Sequence, residues 1–148
     1  MKPEEALHGV TRLLLDTNPV ICVLEKDAKF AERTWAVFTQ ARLQNVQLII
    51  SPLTLIEVLS KPGMTDDELK RFGNFCLATQ GIEFIPIHFD DQFAIRIGFF
   101  RRSTGVKLPD CIQFASAERL NCEAILTADP HFNRHPTSRA ILIPSIDL

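Results

Sequence analysis

Four acidic residues are the side chains of this sequence that are best suited to chemistry. They are Asp16, Glu57, Asp110 and Asp129. Carboxylates a few ångströms apart cannot all stay ionised unless a cation offsets their charge. Ligand sets made only of oxygen favour hard cations such as Mg²⁺ or Mn²⁺. If the fold brings these acids together, we expect a metal site in which a metal-activated water attacks a substrate phosphate.

Apolar segments of two kinds must position the acids. Short apolar runs that read as strands alternate with longer segments of helical spacing, which predicts a mainly parallel sheet covered by helices. The predicted strands are Arg12–Leu15, Val46–Ile50, Ile82–Ile87, Ala124–Thr127 and Ala140–Pro144. The predicted helices are Val20–Glu25, Lys29–Gln44, Pro52–Ser60, 65–80, 91–104 and Pro109–Leu120. The fold class is therefore α/β, a three-layer α/β/α sandwich, with one domain over residues 1–148.

Several helix ends carry recognisable signals. Thr65 and Glu68 have the spacing of a capping box. Asp90 is expected to cap the helix whose inner face carries Phe93, Ala94, Ile97 and Phe100, and Gly105 to end it. The helix before the third strand is expected to end near Gly81.

A parallel sheet gives the acids a common location, because ligands bind beyond the carboxyl ends of its strands. Asp16 follows the first predicted strand, and Asp129 follows the fourth. Glu57 lies in the second turn of the helix that leaves the second strand, and Asp110 in the first turn of its helix. All four can therefore reach one edge of the sheet. The helix dipole is expected to favour the ionised form of Asp110.

Each acid also has a purely structural explanation. Asp16 can close an Asx turn before Pro19, Asp110 can be a charge at a helix start, and Asp129 can cap a turn at 130–132. Glu57 is explained least well in this way. It interrupts an otherwise apolar helix, and a semi-buried acid without a local cation is costly.

The net charge of −2 is mild evidence against nucleic-acid binding, since such proteins are usually basic. An acidic metal site would itself lower the charge, so the value does not exclude it. The cations that could contact phosphates near Asp110 are Arg96, Arg101, Arg102 and Lys107. A solvated helix face explains them at least as well.

The cysteines and the apolar runs indicate a cytoplasmic protein. Cys22, Cys76, Cys111 and Cys122 sit among apolar neighbours and form no C-x-x-C motif. Reduced core thiols explain them better than a zinc site does. The first nine residues lack the apolar core of a signal peptide. The apolar runs are far shorter than the roughly 20 residues that a membrane span needs.

The four acidic segments together resemble the PIN-domain family, and in particular the VapC-like toxins. The family's first strand ends as Leu13–Asn18 does, in Asp followed by Thr. Its glutamate lies in a segment like Ser51–Leu59, and its third acid follows Leu-Pro as in Lys107–Ala117. Its last acidic segment looks like Leu126–Phe132. The resemblance extends from about Arg12 to Ile143, whereas His131, Arg134 and His135 match no family pattern.

This resemblance implies roles for the residues. Asp16 and Asp110 would hold a Mg²⁺ or Mn²⁺ ion most directly, and Glu57 and Asp129 would complete the pocket. Thr127 would support these ligands as a polar neighbour. Asn18 matches a common polar position, although it could equally be a turn residue.

The resemblance also implies an endoribonuclease with an RNA substrate, a homodimer, and a cognate antitoxin as the partner of a type II toxin. Two other functions remain open. One is a non-catalytic RNA- or protein-binding module of the same fold. The other is a phosphatase with Asp16 as covalent nucleophile, but that pattern requires a second aspartate two residues later, where this chain has Asn18.

Overall fold

A five-stranded sheet in which every strand pair is parallel lies at the centre of the computed structural model. The structure describes residues 1–25, 27, 29–78, 82–84 and 87–148, with the backbone alone at 75–78 and 84. The strands are β1 (Arg12–Leu15), β2 (Gln47–Ile50), β3 (Ile82–Phe84), β4 (Ala124–Thr127) and β5 (Arg139–Leu142). Their order across the sheet is β3-β2-β1-β4-β5. The predicted mainly parallel sheet is confirmed.

The helices cover both faces of this sheet. They are α1 (Pro3–Ala6), α2 (Thr17–Leu24), α3 (Ala31–Leu43), α4 (Pro52–Leu59), α5 (Asp66–Ala78), α6 (Asp91–Thr104) and α7 (Leu108–Arg119). Two 3₁₀ helices, Pro130–Arg134 and Ile143–Ser145, flank β5.

Alternate residues of β1 enter two separate hydrophobic cores, because successive strand side chains point to opposite faces. Leu13 and Leu15 pack in the core that contains residues of α1, α2 and α3. Leu14 packs with Phe100 of α6 and Phe114 of α7 in the other core. The predicted three-layer α/β/α sandwich is therefore confirmed.

Three predicted end signals are present, on the two helices α5 and α6. The Thr65 N–H donates to Glu68 Oε2 at 3.1 Å and the Glu68 N–H to Thr65 Oγ1 at 3.2 Å, which is the capping box before α5. The Asp90 carboxylate accepts the Phe93 N–H at 2.8 Å at the start of α6. Gly105 ends that helix with φ of 69°, in the left-handed region that glycine adopts without strain.

Some predicted element bounds are wrong. The helix α2 begins at Thr17 rather than Val20, because Asp16 accepts the Thr17 N–H and Pro19 needs no N–H partner in a first turn. The N-terminal helix α1 was not predicted. The strand β5 lies one to two residues earlier than predicted, and Ala94 is exposed rather than inward-facing.

Two further predictions fall partly outside the described residues. The third strand was expected to reach Ile87, whereas β3 is described to Phe84 and Ile87 lies outside it. The predicted helix end at Gly81 and the side chain of Cys76 lie outside the described residues. Cys22, Cys111 and Cys122 are buried free thiols, as expected. Within the described part of the chain, no helix combines the length and the apolar character that crossing a membrane requires.

Candidate functional site

The strand order reverses direction at β1, and this creates a crevice at the carboxyl end of the sheet. From β1 the chain moves to β2 and β3 on one side, while β4 pairs with β1 on the other. In open α/β sheets such a switch point is the usual ligand site. Asp16 follows β1 there, and its N–H donates to Leu126 O of β4 at 3.0 Å.

Asp16 is held at this crevice by hydrogen bonds to both of its oxygens. The Thr127 hydroxyl donates to Oδ2 at 2.8 Å, and the Thr17 N–H donates to Oδ1 at 2.8 Å. Burial nonetheless raises the pKa of Asp16 to about 6, and repulsion from Asp110 and Glu57 adds to the rise. Keeping Asp16 ionised in this site therefore costs free energy, and a bound cation would lower that cost.

Asp110 lies in the first turn of α7, beside the other acids. Burial raises the pKa of its carboxyl above the usual value, and repulsion from Asp129 and Glu57 raises it further. The helix dipole was expected to favour the ionised form of Asp110, but the net shift of its pKa is in the opposite direction. Burial and the neighbouring carboxylates disfavour the charged form.

Glu57 is exposed, so the expectation of a semi-buried acid is wrong. Two of the apolar neighbours that suggested burial are themselves exposed, Ile56 at 58% and Leu59 at 45%, whereas Val58 is buried. Its carboxylate is still oriented, because Thr17 Oγ1 donates to Glu57 Oε1 at 3.1 Å. The sequence pattern did not indicate Thr17 as the residue that orients Glu57.

Asp129 combines its structural role with a place in the crevice. Its Oδ1 accepts the His131 N–H at 2.9 Å and lies 3.0 Å from His131 Nδ1, so it caps the 3₁₀ helix at 130–134. The Asp129 N–H in turn donates to Thr127 Oγ1 at 3.0 Å. One hydroxyl, that of Thr127, therefore links Asp16 to the backbone of Asp129.

The four acids line one cleft of about 470 Å³, which we call the acidic cleft. Its lining residues are Asp16, Thr17, Asn18, Ile21, Glu57, Asp110, Ala128, Asp129 and Pro130. Within the described part of the chain, no three Asp, Glu, His or Cys side chains lie close enough together to enclose an ion. Magnesium is usually held by one or two carboxylates, with water and phosphate as further ligands. An open set of carboxylate oxygens, in which burial raises the pKa of Asp16 and of Asp110, fits that type of ion.

A buried hydrogen-bond chain connects α7 to Glu57. The Ser51 hydroxyl donates to Gln113 Oε1 at 2.7 Å, and Gln113 Nε2 donates to Thr54 Oγ1 at 3.2 Å. The hydroxyl oxygens of Thr54 and Thr17 lie 3.2 Å apart. A hydroxyl has one proton to give, so when Thr17 donates to Glu57, Thr54 must donate to Thr17. The chain is then directional and ends on the Glu57 carboxylate.

Sequence reasoning missed this chain because nothing in the pattern marks Gln113 as a buried amide. Ser51 directly precedes α4, yet its side chain makes no cap bond to that helix. Asn18 lines the acidic cleft, but its Oδ1 lies 3.1 Å from the Cys22 Sγ and accepts a hydrogen bond from that thiol.

Two of the four cations that could contact phosphate are already engaged. Arg96 makes a paired interaction with Glu118 at 2.7 and 2.8 Å, and its guanidinium stacks over Phe99. Arg101 donates to Val106 O.

The family model described as PIN domain matches residues 13–137, a range that contains all four acids of the acidic cleft. The chain belongs to the PIN domain family. No curated protein sequence matches it significantly.

Solved structures share the fold of this PIN domain at low sequence identity. A chain of VapBC2 from Rickettsia felis, bound to a DNA fragment from its promoter, is 16% identical with a TM-score of 0.67. The match covers 88% of this chain and 98% of that one. A toxin–antitoxin complex from Klebsiella pneumoniae is 23% identical, with coverages of 88% and 97% and a TM-score of 0.62.

FitAcB from Neisseria gonorrhoeae is 19% identical, with coverages of 90% and 99% and a TM-score of 0.63. At these identities the likeness establishes the PIN fold, and nearly the whole length of each matched chain is shared.

Proposed function

We propose that this PIN domain is a Mg²⁺- or Mn²⁺-dependent endoribonuclease and the toxin of a type II toxin–antitoxin pair. The observation that carries the proposal is the acidic cleft, in which Asp16, Glu57, Asp110 and Asp129 meet at the switch point of the sheet. Membership of a family whose members are generally nucleases supports the reaction class. The toxin–antitoxin complexes among the structures with the same fold support the biological role.

In this proposal the side chains of the acidic cleft have different roles. Asp16 and Asp110 hold the ion, and Glu57 and Asp129 complete the negatively charged wall. When bound, the ion supplies positive charge against the reacting phosphate and makes water a stronger acid. Thr127 keeps one oxygen of Asp16 in place through its 2.8 Å hydrogen bond.

Glu57 is exposed at the rim, where its free carboxylate oxygen can orient a water for attack or take up its proton. Thr17 holds the other oxygen, so the carboxylate does not have to be ordered when the substrate binds. Burial raises the pKa of Asp16 to about 6, and a bound cation would favour its ionised form.

Cleavage of single-stranded RNA with Mg²⁺ or Mn²⁺ tests the reaction. We expect Asp110→Asn to reduce the rate by at least about a hundredfold, because a metal ligand is lost. Asp91→Asn is the matched control, since Asp91 is an exposed acid in the first turn of the neighbouring helix α6. Equal rates for the wild type and Asp110→Asn would refute the assignment. Absence of Mn²⁺ binding by calorimetry would instead favour a non-catalytic binding module.

Growth after induced expression tests the toxin role. We expect growth arrest with the wild-type protein and normal growth with Asp110→Asn. A small adjacent gene that restores growth when it is co-expressed would supply the antitoxin. RNA cleavage without growth arrest would support the nuclease activity and refute the toxin role. We also propose a homodimer, and a monomeric mass by light scattering would contradict that part.

A further inference from the structure

A second cleft adjoins the acidic cleft and shares Asp110 and Asp129 with it. It has a volume of about 330 Å³, and we call it the cationic cleft. Its lining residues are Gly105, Val106, Lys107, Asp110, Asp129, His131 and Arg134. The two clefts are therefore continuous at a pair of carboxylates, and a ligand longer than one phosphate group can extend from one into the other.

Two permanent cations lie on the wall of this cleft, Lys107 and Arg134, and both side chains are exposed. They come from segments that meet only in the tertiary structure. Lys107 precedes α7, three residues before Asp110, so it lies at the same helix end as that acid. Arg134 ends the 3₁₀ helix that Asp129 begins.

Both cations are tied to the turn between α6 and α7. Arg134 Nη1 donates to Thr104 O at 3.3 Å, which uses one of the five N–H groups of a guanidinium. The Lys107 carbonyl accepts the Cys111 N–H at 3.0 Å, which fixes its backbone at the start of α7. Gly105 allows the tight turn between them through its positive φ of 69°. The cations are thus presented by ordered backbone beside the acids.

The charge of the two clefts is asymmetric. On the acidic cleft's other side the lining residues include Asn18, Ile21 and Glu57, and none of them carries a positive charge. A polyanion that places one phosphate at the acids gains by sending its next phosphate toward Lys107 and Arg134. In the opposite direction it first meets the Glu57 carboxylate, and Lys61 of the pocket that shares Ile21 with the acidic cleft is paired with Glu25.

We propose that the cationic cleft binds the phosphate next to the reacting one, so that the enzyme needs a substrate with at least two consecutive phosphodiesters. This inference rests on the proposed nuclease function. It identifies Lys107 and Arg134 as the phosphate contacts because both line the cationic cleft, which Arg96 and Arg101 do not.

The experiment removes the charge from one phosphate at a time. An RNA hexamer with one cleavage site is prepared with a neutral methylphosphonate at the linkage on either side of that site. In the wild type we expect one of the two substitutions to lower kcat/KM about tenfold, as for loss of a charge-assisted hydrogen bond. The substitution on the opposite side should have little effect.

The variants Lys107→Gln and Arg134→Gln then show whether these side chains contact the phosphate whose charge was removed. On unmodified RNA, kcat/KM of each variant should be about tenfold below that of the wild type. On the methylphosphonate substrate that the wild type cuts poorly, each variant should differ little from the wild type, because the contact is already absent. Arg42→Gln, an exposed arginine at the end of α3, is the control and should match the wild type on every substrate. Equal losses on modified and unmodified RNA would overturn the inference.

Binding measured without cleavage separates this inference from the function on which it rests. With Ca²⁺ in place of Mg²⁺, the slope of log K against log salt should fall by about 0.7 in each variant, as expected for one phosphate contact on a single strand. If the wild type cuts no RNA, the proposed nuclease function is refuted. The salt dependence of binding then tests by itself whether the cationic cleft contacts a phosphate. An unchanged slope in both variants refutes the cationic cleft even if cleavage is observed.

Discussion

Gln113 of α7 and Thr54 of α4 are joined inside the protein by a hydrogen bond of 3.2 Å, with both residues at most 1% exposed. This bond is the middle of the chain that begins at Ser51 and ends, through Thr17, on Glu57. The two helices that carry Asp110 and Glu57 are thereby held in a fixed relationship. Geometry at the acidic cleft depends on a buried amide that is not itself part of the cleft lining.

Replacement of Gln113 by leucine should destabilise the protein. The change removes the acceptor of the buried Ser51 hydroxyl and one donor to Thr54 Oγ1, which keeps its bond to Thr17. A buried polar group left without a partner costs about 1–3 kcal/mol. Urea unfolding measures the effect. Gln92→Leu is the matched control, because Gln92 is an exposed amide on the neighbouring helix α6. A loss in Gln113→Leu no larger than in this control would contradict the role of the chain.

Replacement of Thr17 by valine should weaken Mn²⁺ binding roughly 10–100-fold, as for the loss of other residues that orient metal ligands. Valine keeps the shape of the side chain but removes the hydroxyl that holds Glu57. Thr17→Ser retains that hydroxyl and should restore most of the affinity. Calorimetry with Mn²⁺ gives the comparison, and a serine variant as weak as the valine variant would show that packing is responsible instead.

Asp16→Asn should stabilise the metal-free protein at neutral pH. Burial raises the pKa of Asp16 to about 6, which corresponds to a cost of about 3 kcal/mol for keeping it ionised in the folded state. Asparagine removes that cost but loses one accepted hydrogen bond, worth about 1 kcal/mol. We expect a net gain of about 2 kcal/mol at pH 7.5 in EDTA.

The same variant gives a pH test with a defined sign. The folded-state pKa of Asp16 is raised, so its cost is fully present above about pH 6 and disappears as the pH falls toward 4. The advantage of Asp16→Asn should shrink over that range, and Mn²⁺ should stabilise the wild type but not this variant. Asp91→Asn should show no pH-dependent advantage, and Mn²⁺ should stabilise it as it does the wild type. An advantage that is constant with pH would contradict the buried charge.

His135 should make the protein less stable in mild acid. Its Nδ1 accepts the N–H groups of Ser138 at 2.8 Å and Thr137 at 3.2 Å, and burial lowers its pKa below the usual value. A lowered histidine pKa gives stability that is fully present above about pH 6.5 and is lost as the pH falls toward the folded-state pKa. Protonation would remove the acceptor that both N–H groups use.

The difference in unfolding free energy between wild type and His135→Gln isolates this effect, because the opposite contribution of Asp16 cancels. We expect the difference to decrease from pH 7.5 to 5.5 in urea unfolding. His8→Gln, an exposed histidine, should give a difference that does not vary. A wild-type advantage that grows in acid would refute the neutral buried imidazole.

The sequence by itself determined the features that depend on neighbours along the chain. Apolar runs defined the strands, and the signals at Thr65, Asp90 and Gly105 identified helix ends, because caps act within one turn. The alternation of strands and helices predicted a parallel sheet, and a parallel sheet brings its strand ends to one edge. The placement of the four acids at one cleft follows from that topology.

Only the tertiary structure decided what surrounds each of these side chains. Thr127 and Asp16 are 111 residues apart in the chain, and their hydrogen bond exists only because β4 pairs with β1. The apolar neighbours of Glu57 suggested burial, yet Glu57 is exposed, and polar Gln113 lies in the interior. Burial, charge repulsion and hydrogen bonding are set by residues that meet in space, and the order of residues along a chain does not contain those distances directly.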